Sequence, residues 1–114
     1  MGLDHVGLHV RDRERSAAFY GEHFGLTERV HEDPGMLILS DAEGSLLALF
    51  ERPRPEPPGD HFHFGVRLGS PDDVRAARER FRAAGMDEHE WQESGPTRVQ
   101  VLDPDGYRVE LYAF

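Results

Sequence analysis

The sequence predicts an α+β fold built from two repeated modules, each with one strand, one helix and three further strands. Residues 3–10 and 61–68 both alternate between apolar and polar side chains, as half-buried strands do. A helix with capping residues at its start and a glycine at its end follows each of them. Two turn sequences, Asp41-Ala-Glu-Gly44 and Asp103-Pro-Asp-Gly106, recur 62 residues apart. Repetition at a nearly constant spacing indicates a duplicated unit.

Module one is assigned to residues 3–50. Its first strand places His5, Gly7 and His9 on one face and the valine and leucine side chains on the other. Asp12 is a suitable N-cap for a helix over residues 13–24, and Gly25 ends that helix. Three further strands are predicted over residues 26–31, 36–39 and 45–50.

A linker over residues 51–60 separates the modules, because four of its ten residues are prolines that stiffen the chain. A proline-rich protein ligand is the less favoured alternative for this stretch. Module two then covers residues 61–114. The elements predicted for it are a strand over 61–68, a helix from Ser70-Pro71 to about Ala84, and strands over 87–93, 98–102 and 107–114.

Composition excludes several classes of function. The chain has 114 residues, a net charge of −9 and no cysteine, so disulfides, thiolate metal sites and cysteine nucleophiles are absent. The acidic surplus argues against a nucleic-acid partner, which requires a basic surface. No apolar run reaches the roughly 20 residues of a membrane span, and no signal peptide is apparent, so we expect a cytoplasmic protein.

The repeat points to one constellation of metal-binding side chains. His5 and His61 begin equivalent strands 56 residues apart and are expected to face one shared cavity. Glu110 lies on the last strand between two apolar neighbours, and its counterpart in module one is Ala48. Two histidines and one carboxylate form a set that holds a divalent metal and leaves positions open to substrate. The alternative for Glu110 alone is a solvent-facing side chain on an edge strand.

The other histidines are interpreted mainly as structural or surface residues, since a strand histidine usually is. His9 and His63 share the faces of the proposed ligands, so they are candidates for a supporting role. No role is assigned to His23, His31 or His89.

Three stretches of the chain resemble the vicinal oxygen chelate superfamily: D-H-V-G-L-H-V, H-F-H-F-G-V and D-P-D-G-Y-R-V-E-L-Y. This superfamily includes glyoxalase I, extradiol dioxygenases, fosfomycin-resistance thiol transferases and bleomycin-resistance proteins. The resemblance covers nearly the whole chain. It implies two βαβββ units whose curled sheets form a cup around a metal, with His5, His61 and Glu110 as the ligands and Glu110 in the catalytic centre.

Departures from the superfamily patterns narrow the choice of reaction. Ala48 stands where glyoxalase I places a further carboxylate, so a glyoxalase I site is incomplete. The fosfomycin enzymes carry a lysine after the tryptophan of module two and a threonine near the first histidine. Gln92 and Gly7 stand at those positions here, which argues against fosfomycin chemistry.

The resulting hypothesis is an enzyme that uses Fe²⁺, Mn²⁺ or Zn²⁺ to chelate and activate a small oxygen-bearing substrate by lyase, isomerase or dioxygenase chemistry. Arg67 and Arg108 are candidates for binding a substrate carboxylate or phosphate, although a surface or intersubunit salt bridge is at least as good an explanation. The alternative is a metal-free, bleomycin-resistance-type protein that sequesters a cationic drug with Phe50, Trp91 and Tyr112. For Phe50 and Trp91, packing in the core is the favoured simpler explanation.

A module of about 50 residues is marginally stable alone, so each must pack against another. The stiff linker favours a homodimer in which modules of two chains meet and share their sites. In such a dimer His5 of one chain would face His61 and Glu110 of the other.

Overall fold

In the computed structural model, which describes all residues 1–114, the chain divides into two units, residues 1–57 and 58–114. The first unit contains, in chain order, β1 (His5–Val10), α1 (Arg13–Phe24), β2 (Glu28–Asp33), β3 (Met36–Ser40) and β4 (Leu46–Glu51). Its four strands form one sheet in the order β1-β4-β3-β2. β1 runs parallel to β4, and the other neighbours are antiparallel.

The second unit repeats this arrangement. It contains β5 (His63–Arg67), α2 (Pro71–Ala83), β6 (Glu88–Gln92), β7 (Thr97–Leu102) and β8 (Arg108–Ala113). The sheet order is β5-β8-β7-β6, and β5 is parallel to β8. Each unit therefore has the predicted strand–helix–three-strand order.

Each unit buries one face of its sheet, and the alternation of side chains decides which one. In β8 every second residue is buried, and in β1 Leu8 and Val10 are buried, Val6 is half-buried and the residues between them are exposed. The core of the first unit comprises Leu8, Val10, Tyr20, Leu37, Leu39, Leu47 and Leu49. The core of the second comprises Val74, Ala77, Phe81, Val99, Val101, Val109, Leu111 and Ala113. The opposite sheet face is left for polar side chains.

The two helices begin and end where the capping residues predict. Asp12 Oδ1 accepts hydrogen bonds from the backbone N–H groups of Glu14 and Arg15, at 3.0 and 3.1 Å. Ser70 caps α2 in the same way through the N–H of Asp73. Gly25 follows α1 with φ 72°, a left-handed conformation that glycine adopts without a steric penalty.

Several strands start later than the sequence predicts, and for β2 and β5 a backbone hydrogen bond explains the delay. The N–H of Leu26 bonds to the carbonyl of Tyr20 at 3.1 Å, so this residue completes the end of α1, and β2 begins at Glu28. The N–H of Phe62 bonds to the carbonyl of Gly59 at 3.1 Å, so a turn extends to residue 62. β5 consequently begins at His63, and His61 lies before the strand.

The two turns that suggested the repeat are built alike. Asp41 Oδ1 accepts from the N–H groups of Glu43 and Ser45, and Asp103 Oδ1 accepts from those of Asp105 and Tyr107. These aspartates replace the backbone acceptors that a tight turn leaves missing. Residues of β4 and β8 therefore correspond at a spacing of 62, and Ala48 is the counterpart of Glu110.

Candidate metal centre

Glu110 lies on the face of β8 that points away from the core. Its neighbours Val109 and Leu111 are buried against the helix side, which fixes the direction of its side chain. The carboxylate side chain is only 13% exposed. Glu110 is therefore a largely buried acid on a sheet face that is otherwise polar.

Two donors hold the carboxylate of Glu110, and both bind the same oxygen. Arg98 Nη1 donates to Oε1 at 3.1 Å, and Gln100 Nε2 donates to Oε1 at 3.0 Å. Oε2 has no protein donor. Since both donors bind Oε1, Oε2 is the carboxylate oxygen on this face that is left available to a cation.

Arg98 is itself held by two side chains of β6. Its guanidinium donates to Glu90 in a very short contact and to Gln92 Oε1 at 3.3 Å. Burial acts to lower the pKa of Arg98, but the hydrogen bonds to Glu90 and Glu110 outweigh it and raise that pKa. Arg98 is thus a permanent cation that links three strands.

Gly65 lies directly across from Glu110 in the parallel pair of β5 and β8. A Cβ at residue 65 would lie 2.8 Å from the carbonyl oxygen of Glu110 and 3.0 Å from its Cβ. These distances are too short for any residue except glycine. Gly65 therefore allows β5 to approach Glu110 closely.

The strand register identifies the histidine that corresponds to His5. Gly7 pairs with Ala48 in the first unit, and Gly65 pairs with Glu110 in the second. Since Ala48 and Glu110 correspond, the two glycines correspond as well. His5 lies two residues before one glycine, and His63 lies two residues before the other. The counterpart of His5 is thus His63, and the predicted pairing of His5 with His61 does not agree with the strand register.

The hydrogen bonds of the imidazole rings also make His63, and not His61, similar to His5. His5 Nδ1–H donates to Asp4 Oδ1 at 2.9 Å, and His63 Nδ1–H donates to the carbonyl of His61 at 3.0 Å. Both acceptors lack a hydrogen to donate, so in the neutral ring Nε2 keeps its lone pair. Histidines that bind metals usually have their second nitrogen fixed in this manner. The imidazole of His61 makes no such bond.

Arg67 and Arg108 share the face of Glu110, one on each side of it. His63 pairs with Arg108, and Arg67 pairs with Tyr112. The Arg67 guanidinium lies 5.0 Å from the centre of the Phe114 ring, and Tyr112 contacts that ring edge-on at 5.9 Å. Neither arginine forms a salt bridge within its own chain, and an intersubunit salt bridge stays a prediction.

Phe50 and Trp91, the other aromatic residues predicted to bind a ligand, have different surroundings. The Phe50 ring covers Gly7, where a Cβ would lie 3.2 Å from its edge, and it contacts His9 at 6.0 Å. Trp91 lies under the guanidinium of Arg78, a residue of α2, at 4.3 Å. Since its neighbours Glu90 and Gln92 reach Arg98 on the face of Glu110, Trp91 points to the helix side. Its predicted place on the substrate side is therefore not supported.

Neither unit contains a complete set of metal ligands. No group of three or more histidine, aspartate or glutamate side chains is arranged to hold a metal ion. Within the second unit, His63 and Glu110 are diagonal neighbours on adjacent strands and on the same face. His5 belongs to the first unit. The sequence did not identify Arg98 and Gln100 as residues of this centre, although their alternation with Val99 and Val101 places them on the face of Glu110.

A sequence model of the Glyoxalase/Bleomycin resistance protein/Dioxygenase superfamily matches residues 2–111. The chain belongs to this superfamily. Its relative glutathione transferase FosA of Serratia marcescens is 27% identical over 112 residues, which cover 96% of this chain and 79% of FosA. This match confirms the superfamily that the three sequence stretches indicate.

Solved structures of this superfamily have the same fold. Lactoylglutathione lyase from Agrobacterium tumefaciens matches with a TM-score of 0.79 at 22% identity, over 98% of this chain and 92% of the lyase. A mutant of the fosfomycin resistance protein FosX from Listeria monocytogenes, complexed with Mn(II) and 1S,2S-dihydroxypropylphosphonic acid, matches with a TM-score of 0.80 at 20% identity. That match covers 97% of this chain and 88% of FosX. The predicted α+β fold of two βαβββ units is thereby confirmed.

The helices of this superfamily member are short and polar. None has the length and apolar character needed to cross a membrane.

Proposed function

We propose that this chain is a divalent-metal-dependent enzyme that chelates and activates a small, oxygen-bearing, anionic substrate. The ligands would be His5, His63 and Glu110. The observation that carries this proposal is the largely buried side chain of Glu110, whose Oε1 is held by two donors while its Oε2 has no protein donor. A ligating carboxylate is usually oriented by such outer hydrogen bonds.

The residues present fit a metal of the Fe²⁺, Mn²⁺ or Zn²⁺ type. Two imidazoles with free Nε2 atoms and one carboxylate oxygen form a set that these ions accept. We propose His63 in place of the predicted ligand His61, because Nδ1 of His63 is fixed and because His63 corresponds to His5 in the strand register. His61 is retained as the competing ligand in the experiments.

A bound metal would supply Lewis acidity toward a substrate carbonyl, hydroxyl or epoxide oxygen. The chain itself would orient the substrate. Arg67 and Arg108 lie on the two sides of Glu110 without acidic partners, so they can bind a carboxylate, phosphate or phosphonate. Tyr112 lies beside Arg67 and offers a hydroxyl group for positioning.

Lyase, isomerase and dioxygenase chemistry are all compatible with this arrangement. The relatives FosA and FosX make fosfomycin a substrate to test, and a phosphonate is an anion that two arginines bind well. Gln92 argues against this choice, because it occupies the position of the lysine in the fosfomycin enzymes and instead bonds to the carbonyls of Ser94 and Pro96.

Metal analysis of untagged protein tests the proposal. We expect about one equivalent of metal per chain after reconstitution, and a loss of binding in Glu110→Ala, His5→Ala and His63→Ala. His61→Ala is the matched control and should bind metal as the wild type does. Less than about 0.2 equivalents in the wild type, unchanged in Glu110→Ala, would exclude the proposal. Loss of binding in His61→Ala but not in His63→Ala would restore His61 as the ligand.

The second candidate is a metal-free protein that binds a cationic aromatic drug. The net charge of −9 favours it, and Phe50 and Tyr112 would provide the aromatic surfaces. Trp91 no longer belongs to this set, since Arg78 covers its ring. Titration of a bleomycin-type cation into metal-stripped protein separates the two candidates. Unchanged affinity without metal supports sequestration, whereas the enzyme requires the metal.

We also propose that the chain acts as a homodimer with metal sites shared between chains. The support is the small size of each unit and the location of His5 in a different unit from Glu110.

A further inference from the structure

We propose that Arg98 and Gln100 are positioning residues that hold Oε1 of Glu110, so that Oε2 alone binds the metal. This inference rests on the proposed function and deepens it. Neither residue touches the metal in this scheme. Both act through the carboxylate of Glu110.

The antiparallel pairing of β7 and β8 places these residues where they can act on Glu110. Gln100 is directly opposite Glu110, and Arg98 is opposite Tyr112, one diagonal step away. Gln100 is only 3% exposed, so packing fixes its side chain. The two donors therefore approach Oε1 from two fixed directions.

The orientation of the Gln100 amide follows from the charge of its partner. If the amide were reversed, its oxygen would face the carboxylate oxygen of Glu110, and both atoms only accept hydrogen bonds. The observed orientation gives Glu110 a donor but leaves Gln100 Oε1 buried without a partner. The amide of Gln100 is thus oriented to donate to Glu110, although its own oxygen then has no protein partner.

A second ion pair of the same unit shows what a structural contact looks like. Arg78 donates to both oxygens of Glu88, through Nε at 2.7 Å and Nη2 at 3.1 Å. Arg29 likewise binds both oxygens of Glu14. These pairs use the whole carboxylate and leave no ligand atom. At Glu110, by contrast, two donors occupy one oxygen and none occupies the other.

The hydrogen bonds that hold Arg98 connect this arrangement to a third strand, β6. Glu90 and Gln92 of β6 both accept from its guanidinium. These contacts restrain the guanidinium, whose Nη1 donates to Oε1 of Glu110. Glu90 also partly neutralises the positive charge of Arg98, so Arg98 repels a metal ion at Glu110 less strongly.

Calorimetric titration with Mn²⁺ tests the inference through affinity, without any substrate. The two variants preserve net charge: Gln100→Met removes the amide donor, and Arg98→Lys keeps the charge but loses the planar fork. We expect each to weaken Mn²⁺ binding by about 10-fold or more, as loss of an outer-shell partner commonly does. Arg78→Lys is the matched control and should bind Mn²⁺ as tightly as the wild type.

A double-mutant cycle separates positioning from general stabilisation. In a Glu110→Gln background, Gln100→Met should cause no further loss of Mn²⁺ affinity, because its effect passes through Glu110. An equal loss in both backgrounds would indicate a purely structural role and overturn the inference. If Gln100→Met does not fold, as judged by circular dichroism, Arg98→Lys alone decides.

The outcomes for the two proposals are distinct. If Glu110→Gln loses Mn²⁺ affinity while both positioning variants stay within about twofold of the wild type, the metal site stands and the positioning role is wrong. If the wild-type chain binds no Mn²⁺, Zn²⁺ or Fe²⁺, the proposed function fails, and the positioning role fails with it.

Discussion

Gly7 and Gly65 occupy corresponding positions in the two units but meet different neighbours. A Cβ on Gly7 would approach only the edge of the Phe50 ring, at 3.2 Å, and a ring can rotate slightly. A Cβ on Gly65 would approach the backbone oxygen and Cβ of Glu110, at 2.8 and 3.0 Å. Backbone atoms within a sheet cannot move without loss of strand pairing.

Gly65→Ala should therefore destabilise the chain and displace Glu110. We expect a decrease of about 1–3 kcal/mol in the free energy of unfolding, as overpacking of a rigid site produces. Urea denaturation measures it, and Mn²⁺ titration should show weaker binding as well. Gly7→Ala is the matched control, for which we expect a smaller loss. Equal losses in the two variants would contradict the special closeness of Gly65 to Glu110.

The sequence predicts the faces of single residues better than it predicts their register. Alternation alone assigns Glu110 and Arg108 to one face and Val109 and Leu111 to the other, as the structure has them. Alternation cannot distinguish His61 from His63, because residues two apart share a face. That choice depends on pairing with β8, which involves residues far apart in the chain. Arg98 and Gln100 carry the alternation too, but their bonds to Glu110 depend on the pairing of β7 with β8.

At the level of helices and strands, local chemistry predicts most boundaries. The start of α1 after Asp12 and of α2 after Ser70 follows from side chains that cap within three residues. Strand starts are less predictable, because a turn or a helix end can extend into an apolar run. Leu26 and Phe62 illustrate this, since each uses its backbone N–H outside a strand.

The ion pair between Arg78 of α2 and Glu88 of β6 makes the free energy of unfolding depend on pH. The hydrogen bond from Arg78 lowers the pKa of Glu88 below its ordinary value of 4.5. An acid with a lowered pKa in the folded state stabilises the fold above its unfolded pKa, and this contribution is lost as the pH falls through the folded pKa. Glu88→Gln should thus destabilise the chain at neutral pH, by less than about 1 kcal/mol for a partly exposed pair.

Urea denaturation across a series of pH values measures the effect. The difference between wild type and Glu88→Gln should be constant above about pH 4.5 and should shrink in more acidic solution. Glu56→Gln is the control, because Glu56 is exposed and has no partner. A difference that does not change with pH would show that the ionised form of Glu88 is not the stabilising one.

For the whole molecule, the duplication was readable from the sequence because turn chemistry is local. Asp41 and Asp103 each bond two backbone N–H groups within four residues, so the same short motif appears twice. The division of the chain into two units follows from this repeat. Sharing of sites between chains depends on association, which short motifs do not encode.

Mixing two defective homodimers tests whether sites are shared between chains. His5→Ala and Glu110→Ala should each fail to bind metal tightly. In a mixed dimer one site would contain intact His5 and Glu110 from different chains, and the other site would contain both substitutions. After equal mixing, about a quarter of all sites should bind metal again. Exchange is followed by mass spectrometry, and complete exchange without recovery would mean that each site is built within one chain.

The outer strands β2 and β6 have a consequence for how this protein avoids aggregation. Each strand forms one edge of its sheet and is rich in acidic residues. Each also contains a break in register, between Arg29 and His31 in β2 and between Glu88 and Glu90 in β6. Bulges and charges at an edge prevent a further strand from adding to the sheet. Growth by strand addition at β2 and β6 is thereby disfavoured. The opposite edge of each sheet is the strand that carries His5 or His63, β1 in the first unit and β5 in the second.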